Sequence, residues 1–206
     1  MTLMPSNVSA ALRRYWAAIR VVFVLTVVLG LLYPLAVTAV GQLAFKRQAN
    51  GSLVSSNGQV VGSSLIGQNF TDEKGNPLPQ WFQPRASAAG DGYDPTSTSA
   101  SNLGPNNPDL LTLVQQRRAA AAALDGVDPA SVPPDALTAS GSGLDPDISP
   151  AYAYEQVDRV AKARGLDPAQ VKALVDANVH GRDLGFLGEP TVNVLELNLA
   201  LQNLSG

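Results

Sequence analysis

The chain has 206 residues, with 14 basic and 17 acidic side chains, a formal net charge of −3 and no cysteine. The weak negative charge excludes the basic field by which proteins attract nucleic acid, and the lack of cysteine excludes thiol catalysis, cysteine-based metal sites and disulfide bonds. Residues 46–206 are enough for one domain with a hydrophobic core.

The first predicted element is a membrane-spanning helix over residues 21–45. These 25 residues carry no charged side chain and lie between Arg20 and Lys46. At about 1.5 Å per residue they reach roughly 37 Å, which is enough to cross a hydrocarbon core about 30 Å thick with some tilt. The preceding residues 1–12 show no helical periodicity, and we expect them to be mobile.

A cleaved secretory signal is the alternative to a permanent anchor. Three arginines precede the apolar stretch, and residues 37–39 offer small side chains at a suitable cleavage position. The apolar character nevertheless continues from Val40 to Phe45, and this length favours an anchor. Under either interpretation the C-terminal part is exported.

The charges beside the span predict a cytoplasmic N-terminus. Residues 1–20 carry only positive charge, and the first acidic residue of the chain is Asp72. Lys46 and Arg47 on the other side weaken this asymmetry, but a long C-terminal part crosses a membrane largely regardless of its charge. We therefore expect residues 1–20 in the cytoplasm and residues 46–206 outside.

Small and hydroxyl-bearing residues recur along the span at intervals of three and four, which places them on one helix face. Such residues let a second helix approach closely, although glycine and proline are also generally common in membrane helices. The proline in this set lacks a backbone donor and predicts a bend. The residues of this predicted docking face are Thr26, Gly30, Tyr33, Pro34, Thr38 and Gly41.

Residues 46–206 predict a single α+β domain with a small β-sheet and about four helices. Asn57-Gly58 lies between two short apolar runs and predicts a type I′ hairpin turn. Leu65-Ile66 and Trp81-Phe82 are further strand-like runs, whereas the composition of residues 84–107 predicts a long loop.

Three of the four predicted helices begin with a capping side chain followed by proline. The side chain accepts a hydrogen bond from a free N–H of the first turn, and the proline lies where no backbone donor is needed. The capping residues are Asn107, Ser149 and Asp167, and the helices are expected over residues 108–124, 150–164 and 168–179. Gly165 ends the second helix, and residues 125–147 form a connection rich in Pro and Gly. The last helix begins at Asn193, with Glu196 three residues later.

No complete catalytic, metal or cofactor motif is present. Gly62 and Gly67 have the spacing of a phosphate-binding loop, but Gln68 occupies the position of its lysine. His180 is the only histidine, so a hydrolase would have to combine it with Ser87 or Ser101, without a Gly-x-Ser-x-Gly motif. Asp91 and Asp94 likewise lack the remaining ligands of a calcium loop.

Several turn-rich stretches place aromatic or charged residues beside proline and glycine. This pattern is equally typical of a rigid binding surface and of tight turns over a core. The candidate subunit-contact or structural residues within these stretches are Gln68, Phe82, Arg85, Ser87, Asn102, Gly188, Glu189 and Asn193.

From Arg13 to Leu204, the order of these motifs resembles the C subunit of the Kdp potassium-transporting ATPase, the KdpC family. Two positions depart from the family pattern, since Ala86 stands where a proline is usual and Thr191 where a basic residue is common. The motifs are Tyr33-Pro34-Leu35, residues 62–68, residues 82–88, Ser101-Asn102-Leu103-Gly104-Pro105, residues 144–150, residues 156–164, residues 184–190 and residues 192–198.

The resemblance implies a non-catalytic accessory subunit of a high-affinity potassium uptake complex in the bacterial plasma membrane. Its partners would be a channel-like potassium-translocating subunit, a P-type ATPase subunit that hydrolyses ATP, a small single-helix subunit and membrane lipid. The family is also credited with a catalytic chaperone role that raises the ATP affinity of the pump subunit. ATP is thus implied through the complex, and no residue of this chain is assigned to it. The alternatives are a membrane-anchored hydrolase and an exported binding module.

Overall fold

The computed structural model describes residues 6–204, and the side chains of residues 10–204. The chain divides into two compact units, with the boundary between Ser52 and Leu53. The first unit is helical and the second is a mixed α+β domain, and each is described by itself.

The first unit consists of α1 (Ser6–Val27), a π-helical segment (Val28–Leu32), α2 (Tyr33–Ala44) and the short α3 (Lys46–Ala49). Within it, the stretch Ala10–Ala44 is long and apolar enough to cross a membrane. The expected mobility of residues 1–12 stays a prediction, and residues 1–5 lie outside the described part of the chain. Helix α1 already begins at Ser6, since Ala and Leu favour helix even without an amphipathic pattern. The predicted membrane limits at residues 21 and 45 remain predictions.

The π-helical segment lies directly before Pro34. The Tyr33 N–H donates to the Val28 carbonyl, five residues back, and the next residue along has no N–H to donate. The proline ring also clashes with the carbonyl four residues earlier, and a wider turn relieves that clash. The bend predicted at Pro34 stays a prediction, and the irregularity found beside this proline is the π segment.

The second unit begins with a two-stranded antiparallel hairpin of β1 (Leu53–Ser56) and β2 (Gln59–Ser63). Asn57 and Gly58 have φ angles of 51° and 78°, the left-handed pair that a type I′ turn requires. The predicted hairpin is therefore confirmed. A bulge between Val54 and Ser55 shifts its register.

A second, three-stranded antiparallel sheet has the order β3-β5-β4. Its strands are β3 (Asp147–Ile148), β4 (Val179–His180) and β5 (Thr191–Asn193), and the central Val192 pairs with both Ile148 and Val179. None of these strands was predicted, because two or three residues are too few to show alternation of apolar and polar side chains.

The predicted helices are present, and their capping interactions are confirmed. The side chains of Asn107, Ser149 and Asp167 accept hydrogen bonds from backbone N–H groups in the first turns of their helices. The second predicted helix is interrupted at Gln156, and a short helix within residues 125–147 was missed. The helices are α4 (Pro108–Asp125), α5 (Pro134–Leu137), α6 (Pro150–Glu155), α7 (Val157–Arg164), α8 (Pro168–Ala177) and α9 (Val194–Leu204).

The hydrophobic core of the second unit lies among α7, α8, α9 and β5. Val160, Val171, Val192 and Leu197 are completely buried there, together with Phe82 from the irregular segment before the long loop. Burial of these apolar side chains supplies the main driving force for folding the domain.

The two further strand-like runs do not form strands. Leu65 lies in a turn and Ile66 makes a single bridge to Ser63, while Trp81 and Phe82 pair with no strand of residues 6–204. Instead, side-chain amides take the place of a neighbouring strand. Asn198 accepts from the Phe82 N–H at 2.9 Å and donates to its carbonyl at 3.0 Å, and Gln156 does the same for Gln83 at 2.6 and 3.1 Å.

Candidate functional site

The predicted docking face begins in α1 and continues through the π segment. A methyl group at Gly30 would lie 3.9 Å from Thr26 Cγ2, so these two residues are neighbours on one side of the helix. Tyr33 and the apolar side chains around it are exposed within this unit. At Gly41 a methyl group would lie 3.7 Å from the Cβ of Ala49 in α3, an ordinary contact distance, so this part of the predicted face lies next to the chain's own α3.

The π segment changes which backbone carbonyls have donors. The Gly30 carbonyl would ordinarily accept from residue 34, which is proline, and the Leu29 carbonyl would ordinarily accept from Tyr33, whose N–H reaches Val28 instead. The predicted face therefore combines a lack of side-chain bulk at Gly30 with an irregular pattern of backbone hydrogen bonds in the π segment.

Five of the candidate residues in the α+β domain hold turns and loops in place. Gln68 Nε2 donates to the Val61 carbonyl at 2.8 Å, Arg85 pairs with Asp145 at 2.9 Å, and Asn193 Nδ2 donates to the Ser64 carbonyl at 2.9 Å. The other two are Phe82, which Asn198 holds as described, and Ser87. These contacts are those of tight turns over a core.

Ser87 uses its hydroxyl for the backbone of the long loop. The hydroxyl donates to the Gly143 carbonyl at 2.6 Å and accepts from the N–H groups of Ala89 and Tyr93. His180 is 62% exposed, and its Nε2 lies 3.8 Å from a Glu196 carboxylate oxygen. Among the described residues no hydrogen bond joins Ser87 to His180, so the dyad that a hydrolase would need is not assembled there.

The remaining candidates lie on exposed loops. Asn102 has a φ of 51°, and its side chain donates to the Ala100 carbonyl at 3.2 Å. Gly188 has a φ of 75°, and the adjacent Glu189 pairs with Arg182 at 2.6 Å. Gly188 and Glu189 belong to residues 181–190, which connect β4 to β5.

The loop of residues 181–190 displays large apolar side chains. Leu184, Phe186 and Leu187 are 83%, 70% and 50% exposed. Gly188 and Glu189 are the residues of this loop that the sequence predicted as candidates, and these three apolar residues were not among them. The sequence feature that could have indicated them is a group of apolar residues between glycines, without the spacing that would bury them in a helix or strand.

A cluster of carboxylates around Glu155 was likewise not predicted from the sequence. Arg159 Nε and Asp125 Oδ1 form an ion pair at 2.6 Å, with side chains only 5% and 1% exposed. Burial outweighs this pairing and raises the pKa of Asp125. Burial, followed by the charges of Asp125 and Asp135, raises the pKa of Glu155 to about 7. Asp125 Oδ2 and Glu155 Oε1 are buried without a hydrogen-bond partner among the described residues.

Neither a phosphate site nor a metal cluster emerges from the described residues. The glycine-spaced stretch of residues 62–67 leads from β2 into a turn and precedes no helix, so it lacks the helix N-terminus that holds a phosphate. Residues 6–204 contain no group of three or more His, Asp or Glu side chains that would hold a metal ion.

Together, these features define a chain with one N-terminal helix long and apolar enough to cross a membrane, followed by a small α+β domain. A family model described as KdpC, the c chain of the K⁺-transporting ATPase, matches residues 15–203. The chain belongs to the KdpC family, and it is therefore a subunit of a potassium-transporting ATPase complex, which implies further subunits.

Relatives named potassium-transporting ATPase KdpC subunit align over most of their own length. The protein of Kineococcus radiotolerans is 60% identical over 93% of this chain and 94% of its own. The protein of Beijerinckia indica is 51% identical over 85% of this chain and 86% of its own. That of Mycobacterium tuberculosis is 50% identical over 93% of this chain and 99% of its own.

Proposed function

We propose that this chain is a non-catalytic accessory subunit that its membrane helix attaches to the channel-like, potassium-translocating subunit. The family match over residues 15–203 carries this proposal. The exposed small-residue face around Thr26 and Gly30 supports the helix as the point of attachment, as does the irregular backbone hydrogen bonding of the π segment. A P-type ATPase subunit that hydrolyses ATP and a small single-helix subunit complete the proposed complex.

The proposed location is the bacterial plasma membrane, with the N-terminus in the cytoplasm and the α+β domain outside. In this arrangement the domain and ATP are on opposite sides of the membrane. A catalytic chaperone effect on ATP affinity would then pass through the contacts of the membrane helix, because the domain could not touch the nucleotide directly. Raised ATP affinity is thus proposed as a property of the complex.

Adding bulk to the docking face tests the attachment. Gly30→Leu should weaken assembly by about 1–3 kcal/mol, because the added side chain overpacks a close helix–helix contact. Ala39→Leu adds bulk to an exposed residue on another side of α2 and serves as the matched control. The measurement is the amount of the channel-like subunit that co-purifies from native membranes with each variant. Equal recovery with both variants would contradict attachment through this face.

A further inference from the structure

The tip of the loop of residues 181–190, here called the apolar tip, consists of residues 184–187. Its exposed Leu184, Phe186 and Leu187 project from a connection between two strands of the sheet. Burying side chains of this size against a partner is favourable, because it removes their apolar surface from water. Clustered apolar side chains on a folded surface typically mark a site of interaction.

The apolar tip is held in one conformation. The N–H of Asp183 donates to the Leu187 carbonyl and the N–H of Leu187 donates to the Asp183 carbonyl, both at 2.9 Å. Leu184 has a φ of 53°, a left-handed conformation that a bulky residue adopts only where its surroundings impose it. A loop that is already ordered loses little conformational entropy when it binds.

The charges around the apolar tip indicate what covers it. Residues 181–190 contain Arg182, Asp183 and Glu189, which sum to −1, and the single arginine is paired with Glu189 at 2.6 Å. Electrostatic attraction to anionic lipid headgroups needs unpaired basic residues, and residues 181–190 contain none. An apolar centre with a polar, charge-paired rim is instead the pattern of a protein–protein contact.

We infer that the apolar tip inserts into an apolar pocket on another protein subunit of the complex, with Arg182 and Glu189 at the rim of the contact. This inference rests on the proposed function, because it needs a co-assembled subunit on the same side of the membrane. Phe186 is its central anchor, since buried aromatic side chains dominate the energy of such contacts.

Photo-crosslinking in the intact complex tests this contact. Phe186→p-benzoylphenylalanine places a photoreactive group on the apolar tip, and Leu111→p-benzoylphenylalanine is the control on α4, where the leucine is 60% exposed. Irradiation of native membranes should join the chain to another subunit of the complex from position 186 and not from position 111.

The other outcomes separate the two proposals. If the other subunits co-purify but position 186 yields no adduct, or an adduct only with lipid or with a second copy of this chain, the inference is overturned and the proposed function stands. If the other subunits do not co-purify with the unsubstituted chain, the proposed function fails and the inference fails with it.

A pair of substitutions gives an independent measure. Phe186→Asp should weaken assembly by roughly 30-fold or more, whereas Phe186→Leu should keep most of it, because an anchor needs apolar bulk. Both variants should unfold at the temperature of the unsubstituted chain, since the side chain is 70% exposed. Equal assembly of the Asp and Leu variants would overturn the inference.

Discussion

The ionisation of Glu155 is coupled to the fold of the α+β domain. Its pKa rises from an ordinary 4.5 to about 7, through burial and the charges of Asp125 and Asp135. Between these two values the folded chain binds a proton that the unfolded chain has released. The free energy of unfolding therefore falls as the pH rises through this window, and the loss is complete above pH 7.

Removing the Glu155 charge should weaken the pH dependence of the free energy of unfolding. Glu155→Gln is expected to unfold at a higher temperature than the unsubstituted chain at pH 8, and at nearly the same temperature at pH 4.5, where both side chains are neutral in the folded chain. Thermal unfolding of the full chain in detergent, followed by circular dichroism, measures the difference. Asp158→Asn, at an exposed position of α7, is the control. A Glu155→Gln effect that does not vary with pH would refute this assignment.

At the scale of elements, the long loop over residues 84–107 has irregular structure but many fixed contacts. The segment around Gly143 is its main support. Ser87 donates to the Gly143 carbonyl, Thr98 Oγ1 donates to the Ser142 carbonyl, and the Ser99 N–H donates to the same Ser142 carbonyl. The loop is thus packed on the 140–143 segment, and its order depends on that close approach.

Alanine substitutions at two glycines, Gly143 and Gly141, test this packing. Gly143 has a φ of 74°, and a methyl group there would lie 2.6 Å from both the Ala89 Cβ and the Ser99 carbonyl oxygen. Gly143→Ala should therefore destabilise the domain by about 3 kcal/mol, through overpacking and left-handed strain.

Gly141→Ala is the matched control, because a methyl group there has no atom of the described residues within 4 Å and its φ is not left-handed. It should change the free energy of unfolding by less than about 0.5 kcal/mol. Urea unfolding of the two variants measures both values. A cost at Gly143 as small as that at Gly141 would show that the loop does not need this contact.

The proposed arrangement of the whole chain requires the two termini to lie on opposite sides of the membrane. The absence of cysteine from the sequence makes this directly measurable, since a single introduced thiol has no competitor. A membrane-impermeant maleimide should label Gln202→Cys in intact spheroplasts and label Ser6→Cys only after lysis. The reverse pattern would overturn the orientation that the flanking charges predict.

The same preparation decides between an anchor and a cleaved signal. The intact mass of the membrane-extracted chain should include residues 1–39. Their loss would exclude a permanent span, and with it any attachment through Thr26 and Gly30.

Features that depend on residues close together in the chain could be predicted from the sequence. Asn57-Gly58 specifies its own turn, and the capping residues Asn107, Ser149 and Asp167 each bind the first turn of the helix that follows them, because these interactions close within a few residues. The uncharged stretch of residues 21–45 likewise predicts a span from its own length. The motif order was enough to predict the family.

Only the tertiary structure decided what lies between distant segments. Asn198 and Phe82 are 116 residues apart, and nothing near either one shows that an amide side chain will pair with that backbone. The sheet of β3, β4 and β5 and the carboxylate cluster around Glu155 arise in the same way, from segments that chain order does not bring together. Burial by such segments also determines that Phe82 is a core residue while Phe186, which likewise lies outside any helix or strand, is exposed.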